Sequence, residues 1–229
     1  MNRTMEEGIG GLLWYAECKN LALDEVMSFR PPANLHAMRM YHSLYLTSLL
    51  SLLELAVDLF GPQVTEAWTR ALDGQGGKTG ENNAAYLTEL RNAAVHRGED
   101  IVAMATVVED KTCVIAPPQA LHRFGKKGPH DAFGLLLRNI FAACENAIGP
   151  AILPAADDAL KAEEGRSAED LRTQYLNAME ASSFMPDWAK KMARENVDQV
   201  PFEEMRGFQA KKLRALLNRG APSGLALEI

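Results

Sequence analysis

The chain has 229 residues, of which 47% are hydrophobic, and its 24 basic and 30 acidic residues give a formal net charge of −6. A chain this apolar can bury a substantial core, which excludes an intrinsically disordered protein and indicates one domain with an extension or two small domains. The acidic balance excludes a global basic field, so any contact with RNA must be local.

The N-terminal part of the chain predicts two long helices. Apolar residues recur at helical spacing from about Ile9 to Met27, and the prolines that follow Arg30 forbid any continuation of this helix. A second helix is predicted from Asn34, a suitable N-cap, to Phe60, and it is apolar on nearly every face. A helix of that kind is usually central in a bundle or half buried by a second subunit.

Two more helices are predicted before the pattern changes. A short one runs from about Pro62 to Leu72, with the proline in its first turn. A loop over residues 73–81 leads into a helix that begins near Asn82 or Asn83. This last helix carries the most informative residues of the chain.

The residues after Gly98 predict a small hairpin. Residues 101–108 and 113–116 are rich in β-branched side chains, and the sequence between them is turn-like. A loop at Gly125 to Gly128 then precedes an apolar helix, which is predicted from about Asp131 to Ile148.

The sequence Gly149-Pro150 to Pro154 predicts a break in the chain. Beyond it, three helical pieces are expected, over residues 168–181, 186–196 and 202–218. The predicted fold class is therefore all-α. It comprises an up-and-down helical bundle in residues 1–150, with the small β-hairpin as an appendage, and a helical C-terminal extension in residues 151–229.

The C-terminal extension mixes basic and aromatic residues. Trp188, Phe202 and Phe208 lie among eight basic residues between Asp187 and Arg219, a mixture that can hold RNA by phosphate contacts and base stacking. Acidic residues interleave the basic ones. We therefore favour solvated helix faces whose apolar sides, such as Met192, pack on the bundle or on a partner, over RNA binding or a helix-turn-helix DNA-binding module.

Arg91, Asn92 and His96 form the candidate catalytic site. At about 100° per residue, Asn92 and His96 fall roughly 100° and 140° from Arg91, so all three can project from one side of their helix. A guanidinium binds phosphate oxygens bidentately, and an imidazole can transfer a proton near neutral pH. The trio therefore indicates binding or cleavage of a phosphodiester.

Three further side chains are candidate substrate-binding residues. Glu89 falls on the same side of the helix, Arg97 adds a cation beyond His96, and Lys78 lies in the loop that enters the helix. Cations in a last helical turn also complement the helix dipole. A structural role for Arg91, His96 and Arg97 is therefore the alternative.

The segment Leu90 to Asp100, LRNAAVHRGED, resembles the signature of the HEPN domain family, in which an arginine and a polar residue, often asparagine, are followed by a histidine. Here four residues separate Arg91 from His96, and only Arg91, Asn92 and His96 match functional positions. The resemblance implies an all-α bundle. In active members it also implies a metal-independent endoribonuclease, whose site is assembled by two motifs across a homodimer. Other members bind nucleotides or proteins without cleavage.

The resulting hypothesis is a metal-independent endoribonuclease that acts as a homodimer, in the setting of a toxin or a defence component. Its partners would be RNA or a nucleotide, with an antitoxin or a regulatory protein as a further candidate, and no cofactor is expected. The alternative is a non-catalytic helical interaction or nucleotide-binding module with a regulatory or antitoxin-partner role.

Other site types find little support in the sequence. Gly76-Gly77-Lys78-Thr79 is similar to the end of a phosphate-binding P-loop, but Leu72 stands where that motif needs its first glycine. The pairs His36 and His42, and His122 and His130, lack the spacing of helical metal ligands, and no Cys-x-x-Cys occurs. We therefore expect no metal site.

The three cysteines, Cys18, Cys113 and Cys144, are far apart and odd in number, which favours a reducing compartment. The N-terminus lacks the pattern of a secretory signal, and the most apolar run, Leu44 to Phe60, contains two acidic residues. The expectation is a cytoplasmic protein without membrane association.

Overall fold

A computed structural model describes residues 5–120 and 129–228, which are mostly helical. The loop predicted at Gly125 to Gly128, and His122, lie outside the described residues. Two compact units are present: unit 1 holds residues 5–156 and 213–228, and unit 2 holds Asp157–Lys212. An all-α class with small hairpins is confirmed at this coarse level.

The elements follow one another along the chain as helices with two short antiparallel strand pairs between them. The helices are α1 (Met5–Ser28), α2 (Leu35–Phe60), α3 (Gln63–Ala71), α4 (Gly80–His96), α5 (Leu137–Glu164), α6 (Ala168–Ala181), α7 (Asp187–Glu195), α8 (Phe202–Met205) and α9 (Phe208–Leu217). The strand pairs are β1 (Ala105–Val108) with β2 (Lys111–Val114), and β3 (Gln119–Ala120) with β4 (His130–Asp131). Single 3₁₀ turns occur at Gln75–Gly77 and Val197–Gln199.

Helix α2 lies in the core of unit 1, and the local sequence sets both of its ends. The Asn34 side chain accepts hydrogen bonds from the backbone N–H groups of His36 and Ala37, as expected of an N-cap. At the other end Gly61 has a φ of 96°, and its N–H donates to the Val57 carbonyl. The predicted start and stop of this helix are confirmed.

Helix α2 is also long and apolar enough to span a membrane by length and composition alone. Half of its most apolar window is buried within the protein, however, and buried core helices share this composition. Leu46, Leu49 and Leu52 are fully buried, as is Tyr45. This burial favours a core role for α2.

A buried ion pair links α1 to α5. Lys19 Nζ lies 2.5 Å from Glu145 Oε2, and the two side chains are 1% and 2% exposed. Tyr45 on α2 donates its hydroxyl proton to the other Glu145 oxygen at 2.7 Å. Desolvation lowers the pKa of Lys19, although the Glu145 charge opposes that effect. The pair holds three helices together through charges that water does not reach.

The predicted hairpin is present, with a shorter turn than expected. Glu109 and Asp110 both have positive φ values, of 48° and 59°, which is the geometry of a two-residue hairpin turn. Lys111 and Thr112, predicted in the turn, belong to β2. The hairpin is not a free appendage, because Cys113 on β2 packs in a buried cluster with Leu136 and Leu227.

The helix predicted from Asp131 begins only at Leu137, so that prediction is corrected. Asp131 lies in β4, and the residues after it are not helical, because they hydrogen-bond to the segment before them. Ala132 N–H donates to the Pro118 carbonyl, and Ala116 N–H donates to the Leu135 carbonyl. These long-range backbone bonds replace the first turns of the predicted helix.

The break predicted at Gly149-Pro150 to Pro154 is wrong, because α5 continues through both prolines to Glu164. A proline inside a helix lacks an N–H donor and crowds the carbonyl four residues earlier. Here the flanking Ile148 and Ile152 are fully buried, and this packing stabilises the helix through the interruption. The two prolines are four residues apart and share one face, which lines a groove against α3.

The single helix predicted over residues 202–218 is also corrected, since α8 and α9 are separate. Gly207 between them has a φ of 62°, a left-handed conformation that ends a helix. A Cβ at this position would lie 2.8 Å from the Glu164 Cα. The glycine is therefore required both by its backbone conformation and by the close approach of α5.

Residues 213–228 belong to unit 1, although the predicted extension began at residue 151. The buried Arg138 guanidinium donates to the carbonyls of Gly224 and Leu225, both at 2.7 Å. Asn139 exchanges two hydrogen bonds with the Leu227 backbone. These bonds attach the C-terminal segment to the start of α5.

Lys19→Ala should destabilise the protein by about 3–5 kcal/mol, because it leaves the Glu145 carboxylate buried without its cation. The double variant Lys19→Met with Glu145→Leu should lose less, since no charge is then left uncompensated. Urea unfolding at neutral pH measures both. A single variant that is no less stable than the double variant would contradict the argument.

The stability of unit 1 should depend on pH through His42. Burial lowers the pKa of His42 to about 4, the Arg138 charge adds to this effect, and the hydrogen bond to the Met38 carbonyl opposes it. Between pH 6.5 and pH 4, His42 is protonated in the unfolded chain but neutral in the folded chain. The free energy of unfolding is therefore at its full value above pH 6.5 and falls as the pH is lowered toward 4. The expected loss is about 3 kcal/mol.

The measurement is urea unfolding across this pH range, with His42→Gln as the comparison. The variant lacks the titrating imidazole, so its free energy of unfolding should fall less steeply over the same range. Parallel pH profiles for the two proteins would show that His42 does not contribute.

Candidate functional site

The start of α4 is fixed by contacts with the end of α3. Thr79 caps the helix by accepting a hydrogen bond from Asn82 N–H at 3.2 Å. The Gly80 N–H donates to the Asp73 side chain at 2.9 Å, and a Cβ on Gly80 would lie 1.9 Å from the Thr69 carbonyl oxygen. The helix therefore begins at Gly80, before the predicted start at Asn82 or Asn83.

One side of α4 is buried in unit 1, largely as the sequence predicts. Tyr86, Leu87 and Leu90 are at most 1% exposed, and the Tyr86 hydroxyl donates to the Pro117 carbonyl at 2.8 Å. Ala93 is buried next to them. This stripe fixes the rotation of α4 about its axis, and with it the direction of the candidate residues.

Arg91 lies against α2. Its Nη2 is 2.7 Å from Glu54 Oε1, and the arginine side chain is 17% exposed whereas the glutamate side chain is 61% exposed. The Arg91 Nε is buried and has no hydrogen-bond partner in the structure. The guanidinium is therefore partly sheltered, with one donor group engaged by a carboxylate.

His96 lies in the last turn of α4 and is exposed. Neither His96 nor the half-buried Asn92 makes a side-chain hydrogen bond to any described residue. The backbone just after the helix is held, because Arg39 on α2 donates to the Gly98 carbonyl at 2.5 Å. The imidazole is thus free to meet a ligand or a second subunit, at about 7.5 Å along the helix axis from Arg91.

The predicted substrate-binding residues Glu89 and Arg97 contact each other. Glu89 is only 9% exposed, although the helical count places it on the outward side. Arg97 Nη1 lies 3.5 Å from the Glu89 carboxylate, and Arg97 Nε donates to Glu99 at 2.7 Å. Both side chains are therefore engaged in ion pairs at the C-terminal end of α4.

Lys78 lies at the other end of α4, about 24 Å from His96 along the helix axis. Its ammonium group is 2.9 Å from the Asp131 carboxylate on β4. The hydrogen bond and charge of Lys78 lower the pKa of Asp131. Within one chain the structure does not bring Lys78 together with Arg91 and His96.

A groove next to Arg91 was not predicted from the sequence. It lies between α2, α3 and α4 and has a volume of about 300 Å³. Its walls are mostly apolar, and its polar groups are Glu54, Asp58, Thr65 and Thr88. The sequence signal for this groove was the pair of acidic residues, Glu54 and Asp58, one turn apart in an otherwise apolar helix.

The chemistry available at this end of α4 is acid–base and anion-binding chemistry. The exposed imidazole can accept or donate a proton, and the guanidinium of Arg91 keeps donors beyond the one that Glu54 engages. Within residues 5–120 and 129–228, no group of three or more His, Cys, Asp or Glu side chains is placed to hold a metal ion.

Glu54→Gln should strengthen binding of inorganic phosphate, because Arg91 then loses a competing negative charge. The free energy of unfolding should change by less than about 1 kcal/mol, since the ion pair is exposed on the glutamate side. Calorimetric titration with phosphate at low salt provides the measurement, and Glu66→Gln on α3 is the matched control. Unchanged phosphate affinity in Glu54→Gln would mean that Arg91 does not bind the anion.

Comparisons of this chain with protein family models, with curated proteins and with solved structures found no match. The resemblance to the HEPN family therefore stays a prediction, carried by Arg91, Asn92 and His96. The positions and contacts of these three residues are the basis of any functional assignment.

Proposed function

We propose that the protein is a metal-independent endoribonuclease of HEPN type, which acts as a homodimer with a composite site. The observation that carries this proposal is the exposed His96, whose side chain makes no hydrogen bond to any described residue and which follows Arg91 on the same helix. A general acid or base must be accessible to its substrate in this way. A purely structural histidine has no such requirement.

The role of each residue follows from its chemistry. In one subunit, His96 removes the proton of the RNA 2′-hydroxyl, and the oxygen then attacks the adjacent phosphorus. The symmetry-related His96 donates a proton to the departing 5′-oxygen. The products are a 2′,3′-cyclic phosphate and a 5′-hydroxyl, so one proton is taken up and one is released.

Arg91 and Asn92 act on the phosphate itself. The Arg91 guanidinium stabilises the negative charge that develops on the phosphorane oxygens. The Asn92 side chain amide is half buried one residue further on, and it positions the phosphate through a hydrogen bond. The exposed Val95 beside His96 is an apolar side chain available for contact with the second subunit.

RNA cleavage in the presence of a chelator tests the proposal. His96→Ala should reduce the rate by roughly 100- to 10,000-fold and Arg91→Ala by about 100-fold or more. His36→Ala is the matched control, since His36 is also an exposed helical histidine but lies at the start of α2. Undiminished cleavage by both site variants would remove these residues from the mechanism.

A second candidate function is a non-catalytic module that binds a nucleotide or a protein. The observation that favours it is the pairing of Arg91, Arg97 and Lys78 with carboxylates of the same chain, which reduces the local positive field. If the wild-type dimer cleaves no RNA, or the chain is a monomer at assay concentrations, this candidate is preferred.

A further inference from the structure

The groove between α2, α3 and α4 has the size and the lining of a small-molecule site. Its volume of about 300 Å³ is at the lower end of the range for ligand pockets. Leu50, Leu53 and Trp68 contribute apolar walls, and each is nearly buried. A flat, apolar ring system fits such walls, because it removes their exposed carbon atoms from water.

Apart from the indole N–H of Trp68, the polar groups of this groove are carboxylates or hydroxyls. Asp58 is exposed and makes no hydrogen bond or ion pair with any described residue. Glu54 uses only its Oε1 atom to accept from Arg91. The ligand must therefore present N–H donors to the carboxylates, and it carries no negative charge on the part that enters the groove.

The arrangement of Glu54 and Asp58 is unfavourable for the helix alone. They are four residues apart on α2, and like charges at this spacing repel each other. Asp58 has no basic partner in the described residues to offset the repulsion. A ligand that donates hydrogen bonds to the Asp58 carboxylate provides the partner that the described residues do not.

The groove lies next to Arg91, the residue proposed to bind the phosphate. Glu54 touches both the groove and the Arg91 guanidinium, and Thr88 precedes Arg91 by three residues, which is one turn of α4. A ligand that fills the groove therefore lies beside any phosphate held by Arg91. A nucleotide has this composition, with a flat base attached through the sugar to a phosphate.

Among the four RNA bases, guanine matches the carboxylates best. Its N1–H and its amino group are adjacent donors in one plane, and together they satisfy both oxygens of one carboxylate. Adenine and cytosine offer a single amino group on this edge. Uracil offers one N–H between two carbonyl oxygens, which a carboxylate repels.

We infer that the groove binds a guanine base, with Asp58 accepting from its N1–H and amino group, next to the phosphate held by Arg91. This inference rests on the proposed function, which it deepens by assigning a base preference beside the cleaved bond. It concerns binding, however, and binding is measured without any cleavage.

The experiment compares the four nucleoside 5′-monophosphates, which share the phosphate and differ in the base. Titrations followed by NMR chemical shifts should show guanosine monophosphate binding roughly 5- to 150-fold more tightly than the other three. Asp58→Asn should abolish this preference, because the amide keeps only one acceptor oxygen and opposes the second guanine donor with an N–H group. Arg91→Ala should instead weaken all four nucleotides by a similar factor.

Two further variants separate binding from folding. Asp158→Asn is the matched control, since Asp158 is also an exposed helical aspartate but lies on α5 in unit 2, and it should leave all four affinities unchanged. Ala84→Leu fills the groove without altering its charge and should also remove the guanine preference. Equal affinities for the four nucleotides, no binding of any of them, or a preference retained by Asp58→Asn overturns the inference.

Cleavage mapping then distinguishes this inference from the proposed function. If wild-type protein cleaves RNA in chelator without regard to guanine, the nuclease proposal stands and the base assignment fails. If guanosine monophosphate binds selectively but no RNA is cleaved, the base assignment stands and the nuclease proposal fails. Cleavage next to guanines that loses this preference in Asp58→Asn supports both.

Discussion

The burial of α2 among the other helices of unit 1 determines where each candidate residue lies. Its core side chains, such as Tyr45 and Leu49, leave no freedom of rotation, so the acidic residues on its opposite side must face α3 and α4. That orientation places Glu54 within 2.7 Å of the Arg91 guanidinium. The position of the main cation in the site is thus a consequence of core packing as much as of its own helix.

The sequence predicted the features that depend on neighbouring residues. The Asn34 cap, the stop at Gly61 and the hairpin at Glu109 and Asp110 arise from local hydrogen bonding and local backbone preferences, which a short window of sequence contains. The direction of the buried stripe on α4 followed in the same way from helical periodicity.

The sequence could not predict features that depend on distant partners. Helix α5 continues past Pro150 because buried isoleucines on either side stabilise it, and that burial is decided by the rest of unit 1. The Arg91–Glu54 pair joins residues 37 positions apart, and Arg97 covers a Glu89 that periodicity placed outward. Helical periodicity was therefore enough to place Arg91, Asn92 and His96 on one helix, but the ion pair of Arg91 and the groove beside it depend on the fold.

The attachment of residues 213–228 to unit 1 makes that unit discontinuous along the chain. Within the part of the chain that the structure describes, the buried Arg138 guanidinium finds carbonyl acceptors only at Gly224 and Leu225, so the core of unit 1 is incomplete until these residues have left the ribosome. During synthesis, the residues of unit 2 are complete before unit 1 can close. Completion of the helical core, and of the Arg91 region it supports, therefore requires that residues 213–228 have already been translated.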